Sequence, residues 1–271
     1  MPTTLADVQE VVEALWPRSG AESWDAVGLV TGDPAAEVSR IRLAVDAVTD
    51  TVDEAVAAGD QLLLTHHPLL LRGVTSVAED RYKGTVVARL IRGGCALLAA
   101  HTNADVVERG TSAVFAERLG LRDLRPIESG LDAATGLGRV GELSEPMPLG
   151  RFARAIADVL PATAQGIRVA GEYEREVRTV ALCAGAGDSF LQHPTVLAAD
   201  VYVTSDLRHH PASESAEAAR LGRGPALVDV SHWASEWLWL DVAAEQLRAA
   251  LPGVEITVSE LRTDPWEFAI V

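Results

Sequence analysis

The sequence is poor in cysteine, in basic residues and in long apolar stretches. Its two cysteines, Cys95 and Cys183, both lie in apolar stretches. This favours small buried side chains in a reducing cytosol over a disulfide scaffold. No apolar stretch reaches the roughly 20 residues that a membrane-spanning helix needs, and the N-terminal segment lacks the order of a signal peptide. We therefore predict a cytoplasmic protein that has no membrane partner.

The balance of charges is strongly acidic. Lysine and arginine total 23 against 39 acidic residues, which gives a formal net charge of −16 at pH 7. Phosphates repel such a surface, so nucleic acid is not expected as a partner. An anionic small molecule can still bind where a metal ion or a helix N-terminus reverses the local sign.

Several common catalytic motifs are also missing. The chain contains neither G-x-x-x-x-G-K-[ST] nor G-x-S-x-G, and GAGDS at 185–189 resembles a phosphate-binding turn only loosely. Neither cysteine lies beside a histidine, which gives thiol catalysis little support. A Ser-His-Asp triad stays open, although no serine stands out.

Apolar β-type stretches alternate with helical ones, which predicts an α/β layered fold. Residues 5–17 predict a helix that Pro17 stops, and 40–48 a strand. A helix follows at 49–59, with Thr49 as its N-cap and Gly59 just past its end. QLLLTHHP predicts a strand buried on both faces.

The same order of elements returns in the second half of the chain. There, RTVALCAGAG and DVYVTSDLRHHP predict strands, the second of which ends in His209 and His210. We predict two similar α/β lobes, an internal pseudo-repeat with lobes at 1–125 and 126–271. They would pack as one compact unit without an inserted third domain.

Six of the seven histidines lie in four segments that each follow an apolar β-type stretch: THHP, HTNAD, LRHHP and SHWASE. Ligands of α/β sheets bind beyond the carboxyl ends of the strands, so these histidines are expected to converge on one crevice. A lone histidine at this position is more often a strand cap or a surface residue. Four such segments together favour a binding site.

Carboxylates accompany two of these segments. Asp105 follows His101 by four residues, and Glu236 follows His232 by four, which places the second pair on one helix face. Imidazole and carboxylate together suit Zn, Mn, Fe or a similar divalent ion. A surface ion pair is the plainer interpretation of His232 and Glu236. Because adjacent histidines at a strand end could bind separate ions, a dinuclear centre that activates water is a natural interpretation.

The order of the motifs resembles the Nif-three-like family, whose members are also called GTP cyclohydrolase 1 type 2 homologs or dinuclear metal centre proteins. The motifs are ESWDAVGL, LLLTHHPLLLRG, AAHTNAD, GLGRVGEL, VALCAGAGDS, DVYVTSDLRHH and DVSHWASE. The resemblance covers nearly the whole chain. It implies two similar α/β lobes, a two-metal site in the cleft between them, and a toroidal homohexamer.

Carried over by motif, the resemblance assigns roles to individual residues. Two divalent ions, of an identity that the sequence does not specify, would be bound by His66, His67, Asp105, His232 and Glu236. His66 and His67 would each bind one ion, and Asp105 would bridge both. The resemblance also implies His101 and His209 as proton-transfer residues and Asp206 and His210 as substrate-binding residues.

Two functions remain in view. The first is a metal-dependent hydrolase with a GTP-cyclohydrolase-like activity, acting on a small molecule such as a nucleotide or a phosphoester. The second is a non-catalytic metal-binding or adaptor protein whose ring shape matters more than turnover. Family membership does not fix a substrate.

Overall fold

The structure, a computed structural model, describes residues 2–130 and 134–270. The chain forms two compact units, which we call unit 1 and unit 2. Unit 1 consists of Met1–Ala104 with Leu240–Thr263, and unit 2 of Asp105–Trp239 with Asp264–Val271. The two predicted lobes, 1–125 and 126–271, were defined by the sequence repeat and not by these units. That division of the chain stays a prediction.

Helices and strands alternate through most of the chain. The helices are Leu5–Leu15 (α1), Thr49–Ala58 (α2), Tyr82–Gly93 (α3), Thr102–Asp105 (α4), Thr111–Arg118 (α5), Leu149–Val159 (α6), Pro194–Leu197 (α7), His209–Arg220 (α8) and His232–Ala250 (α9). The strands are Gly28–Thr31 (β1), Arg40–Ala44 (β2), Leu62–Thr65 (β3), Ala96–Ala99 (β4), Arg122–Arg125 (β5), Glu128–Ser129 (β6), Gly136–Leu137 (β7), Arg139–Pro148 (β8), Arg168–Ala170 (β9), Glu176–Ala186 (β10), Val201–Ser205 (β11), Ala226–Val230 (β12) and Glu255–Val258 (β13). Among the described residues, no helix combines the length and apolarity that crossing a bilayer requires.

Unit 1 contains a five-stranded sheet in the order β1-β4-β3-β2-β13. Strands β13, β2, β3 and β4 are parallel, and β1 pairs antiparallel with β4. All four residues of β3 are buried, as its unbroken apolar sequence predicted for a strand covered on both faces. The carboxyl ends of β2, β3 and β4 therefore meet at one edge of this sheet.

The helix ends of unit 1 correct two expectations. Helix α1 ends at Leu15, two residues before Pro17, and Thr4 and Asp7 form its capping box. Thr49 is not the N-cap of α2, because Val48 holds that position. The hydroxyl of Thr51 accepts from the Val48 N–H instead, at 3.1 Å. Gly59 ends α2 in the left-handed conformation, as predicted.

Unit 2 contains a six-stranded sheet in the order β5-β8-β10-β11-β12-β9 and a two-stranded sheet, β6-β7. Its central strands β10, β11 and β12 are parallel, and the outer ones pair antiparallel. The sequence interpretation of 200–211 needs correction here, because β11 ends at Ser205. His209 and His210 instead begin α8, whose first turn accommodates Pro211 without losing a helical hydrogen bond.

Candidate metal centre

Strand register in unit 1 brings three histidines together. Thr65 of β3 pairs with Ala99 of β4, so the residues that follow the two strands lie side by side. The ligand nitrogens of His66, His67 and His101 all lie within 4.8 Å of one another, and their ring centroids are 5.1, 5.2 and 5.5 Å apart. We call these three residues the histidine group.

In each imidazole of this group, Nδ1 lies within hydrogen-bond distance of an oxygen atom. His66 Nδ1 lies 2.9 Å from the Ala100 carbonyl oxygen, His67 Nδ1 lies 2.7 Å from Asp46 Oδ1, and His101 Nδ1 lies 2.9 Å from Asp25 Oδ1. Metal-binding histidines commonly donate one ring N–H to such an oxygen, which fixes the tautomer and orients the ring. Nε2 is then the nitrogen that would bind an ion.

Asp25 is an ionised partner for His101. Burial by itself would raise the pKa of Asp25, but hydrogen bonds from His101 and Thr102 hold that pKa well below its usual range. The backbone N–H groups of Ala26 and Thr102 also donate to this carboxylate, at 2.7 and 3.0 Å. Asp25 therefore keeps its negative charge and fixes the orientation of the His101 ring.

Unit 2 carries a second cluster, which we call the carboxylate group: Asp206, His232 and Glu236. His232 begins α9, and its Nε2 lies 3.0 Å from Glu236 Oε1, one helical turn further on. Its Nδ1 lies 2.7 Å from Asp206 Oδ2. Asp206 follows β11 directly and has a left-handed backbone, with φ at 58°. Aspartate tolerates that conformation better than most residues, yet a departure of this kind is typical of functional sites.

The two carboxylates change the acidity of His232. Burial alone would lower its pKa, but the charge of Glu236 and the hydrogen bond with Asp206 raise that pKa well above the usual value. In the metal-free protein the two acids therefore favour the protonated, imidazolium form of His232. A metal ion that binds here must displace that proton.

Gly185, near the end of β10, has no side chain and so leaves room for the side chains of Glu236 and His232 in the carboxylate group. A Cβ at this position would lie 2.3 Å from Glu236 Oε1 and 3.2 Å from His232 Nε2. Its φ of +69° also suits glycine better than residues with a side chain. The Ser235 hydroxyl accepts from the Gly185 N–H at 2.9 Å, so strand and helix are fixed against each other at this point.

Asp105 lies in unit 2, where the Thr111 hydroxyl donates to its Oδ1 at 2.5 Å. Burial, with the charges of Asp105 and Glu236, raises the pKa of the Cys183 thiol to about 12. Both carboxylates thus lie close to one buried thiol. The expectation that Cys95 and Cys183 are buried and not disulfide-bonded is confirmed.

The remaining predicted site residues, His209 and His210, are the first two residues of α8. Both are exposed in the first turn of α8, with ring centroids 5.2 Å apart. Within the described part of the chain, neither belongs to a set of side chains spaced to bind a metal. His209 lines a cavity of about 430 Å³ together with Arg168 and Asp229.

Sequence reasoning missed the residues that hold the imidazoles. Asp25 lies in the ESWDAVGL motif and Asp46 follows β2, but neither was assigned a role. The sequence interpretation placed Asp46 inside a strand at 40–48, whereas β2 ends at Ala44 and Asp46 follows it, beside the strand that precedes His67. Gly185 lies in GAGDS at 185–189, which resembles a phosphate-binding turn only loosely, and no role beside a carboxylate was assigned to it.

Comparison with known proteins finds one family and several similar proteins and solved structures. The family model described as Duf34/NIF3 (NGG1p interacting factor 3) matches residues 3–265. The chain is 48% identical over 269 residues to the GTP cyclohydrolase 1 type 2 homolog of Streptomyces coelicolor, covering 97% of this chain and 93% of that protein. It is 35% identical to the protein of the same name from Mycobacterium bovis over 379 residues, covering 98% and 97%. Among solved structures, the hypothetical protein SA1388 of Staphylococcus aureus superposes with a TM-score of 0.87 at 26% identity, over 99% of this chain and 100% of that one.

Proposed function

Because the chain belongs to the Duf34/NIF3 family, we propose that it is a dinuclear, divalent-metal-dependent hydrolase of a nucleotide or phosphoester-type substrate. One observation carries the proposal: in both proposed imidazole ligands of the histidine group, His66 and His67, Nδ1 lies within hydrogen-bond distance of an oxygen. That arrangement is typical of histidines that bind metals. The name of these relatives, GTP cyclohydrolase 1 type 2 homolog, supports both the water-consuming reaction and the nucleotide.

In this proposal, five side chains hold the two ions in a cleft between two similar lobes: His66, His67, Asp105, His232 and Glu236. Imidazole and carboxylate donors of this kind suit Zn, Fe or Mn. Once bound, the ions supply Lewis acidity, which polarises the scissile bond and makes water a stronger nucleophile. Fixed partners keep the protein ligands oriented before any ion arrives.

The other residues orient groups and move protons. His101, oriented by Asp25, is placed to take a proton from the attacking water or to give one to the leaving group. Asp206 fixes His232 through its Nδ1 atom. His209 and His210 are exposed at the start of α8, where they contribute to substrate binding and proton transfer.

Metal analysis and turnover assays test the proposal together. The purified protein is expected to contain two divalent ions per chain by elemental analysis and to hydrolyse GTP or a member of a phosphoester panel. His67→Ala and Glu236→Gln should lower both metal content and turnover. Asp53→Asn, which changes an exposed carboxylate on α2, should lower neither. A metal-loaded protein that hydrolyses nothing would refute the hydrolase, and full metal content in both ligand variants would refute the ligand assignment.

The family description, an interacting factor, favours a second candidate function: a metal-binding adaptor without turnover. It predicts that His67→Ala abolishes binding of a protein partner as well as of metal, while no substrate is consumed by the wild-type protein. Affinity capture with the wild-type protein and this variant, alongside the turnover panel, separates the two functions.

We further propose a cytoplasmic homohexamer, a toroid, with no nucleic-acid or membrane partner. The family resemblance supports the hexamer, and the acidic charge of −16 argues against polyanionic partners. Light scattering during size exclusion should give six times the chain mass of 28.7 kDa. A mass equal to one chain would contradict the ring.

A further inference from the structure

Unit 2 contains a cavity of about 450 Å³ beside the carboxylate group. Asp206 lines this cavity while its Oδ2 holds His232 at 2.7 Å. The other walls include Gln165, Arg168, Arg208, Trp266 and Phe268. Its volume suits a ligand of nucleoside-phosphate size, since small-molecule sites span about 300–1,000 Å³.

Trp266 contributes an aromatic side chain to the lining of this cavity. Its side chain is 61% exposed, yet its backbone N–H donates to Asp264 Oδ1 at 3.0 Å. Asp264 is buried and accepts from the Ser231 hydroxyl at 2.5 Å, one residue before His232. The segment that carries Trp266 is thereby attached to the start of α9. An exposed ring on a fixed backbone can stack on a planar ligand at little cost in entropy.

Positive groups lie at the same cavity. Arg208 pairs with Asp188 at 2.6 Å, and Arg168 pairs with Asp229 at 2.9 Å. The Arg208–Asp188 pair lies at the surface, where ion pairs are weak. Asp229 is buried, but the guanidinium side chain of Arg168 is 59% exposed. A phosphate can therefore reach both guanidinium groups, each of which can donate two hydrogen bonds to it. Arg208 also precedes α8, a 12-residue helix that begins without a side-chain cap at its described N-terminus, and its open N–H groups favour an anion.

We propose that this cavity binds a nucleoside phosphate, with the base stacked on Trp266 and the phosphate bound by Arg168 and Arg208. Gln165 also lines the cavity, and its side-chain amide, which both donates and accepts, would contact the edge of the base. The inference rests on the proposed function for the reaction that follows, but the binding itself does not require turnover. The positive charge of the two arginines explains how an acidic protein can bind an anion next to the carboxylate of Asp206.

Calorimetric titration of the purified protein with GTP, guanosine and inorganic triphosphate tests the site. Trp266→Ala should weaken GTP and guanosine binding about tenfold, in line with the loss of one base–aromatic stack, and Trp266→Phe should retain most of the affinity. Tyr173→Ala is the matched control, because Tyr173 is 62% exposed in the same unit but does not line the cavity. It should leave GTP binding unchanged.

The proposed phosphate contact is tested with a matched pair of arginine variants. Arg208 and Arg220 are both 76% exposed, and each pairs with a carboxylate at 2.6 Å. Arg208→Ala should weaken GTP and triphosphate binding severalfold and leave guanosine binding unchanged, because only the phosphate contact is lost. Arg220→Ala should change neither.

The outcomes separate this inference from the hydrolase. Equal GTP affinity in wild type, Trp266→Ala, Trp266→Phe and Arg208→Ala would overturn the nucleotide site, even if another phosphoester were hydrolysed. The expected binding pattern in a protein that hydrolyses nothing would support the site and refute the hydrolase. A circular dichroism spectrum of each variant confirms that a lost affinity is not lost folding.

Discussion

Replacing Gly185 by alanine tests whether the carboxylate group is held ready for a metal ion. A φ of +69° costs an L-residue about 1–2 kcal/mol. The new Cβ would also lie 2.3 Å from Glu236 Oε1, well inside van der Waals contact. Because Glu236 is buried, its carboxylate has little room to move without losing the 3.0 Å contact with His232. We expect metal affinity to fall about 10- to 100-fold, as it does when a ligand loses its support.

Gly222→Ala provides the matched control for this variant. Gly222 lies in the same unit with a φ of +72°, and nothing surrounds its position within 4 Å. It should therefore lose about 1–2 kcal/mol of stability from the backbone alone and bind metal normally. Urea unfolding measures the stability of both variants, and calorimetric titration with Zn²⁺ measures their affinity. If the two variants bind Zn²⁺ equally well, the placement of Glu236 beside Gly185 is not part of a metal site.

Three other perturbations have defined outcomes. Asp46→Asn should weaken Zn²⁺ binding about 10- to 100-fold, measured by the same titration, whereas Asp53→Asn on the exposed face of α2 should not. Because the pKa values of Cys95 and Cys183 are both raised to about 12 by burial, neither thiol should react with a disulfide reagent at pH 8 until urea unfolds the chain. Since the pKa of His232 is raised on folding, its pairing stabilises the metal-free protein fully below its unfolded pKa of about 6.5. That contribution should be lost as pH rises through the folded pKa. The free energy of unfolding in urea should therefore fall over this pH range in the wild-type protein, and His232→Gln should remove that part of the pH dependence.

Local signals predicted much of the fold and part of the site. The apolar run before His66 identified a buried strand, and Gly59 marked the end of α2 because few other residues adopt its backbone conformation. The i,i+4 spacing placed His232 and Glu236 on one helix face, where the structure has them 3.0 Å apart. Each of these features depends only on residues close together along the chain, so it can be predicted without knowing which segments meet in the fold.

Features that depend on distant residues escaped prediction. His101 is held by Asp25, 76 residues earlier in the chain. The parallel pairing of β13 with β2 joins Ile256 to Ile41, more than 200 residues apart. Periodicity and capping rules describe neighbours along a helix or strand, and they contain no information about which segments meet. Strand pairing across the sheet supplies that information.

Strand pairing also suggests why carboxylates hold the histidines in both units. Asp46 follows β2 and holds His67, which follows the neighbouring strand β3. Asp206 follows β11 and holds His232, which follows the neighbouring strand β12. Residues beyond the carboxyl ends of adjacent parallel strands meet at one edge of the sheet, so an acid after one strand can fix an imidazole after the next. In each unit the carboxylate lies against Nδ1, so Nε2 of the same ring is the nitrogen that could bind a metal ion.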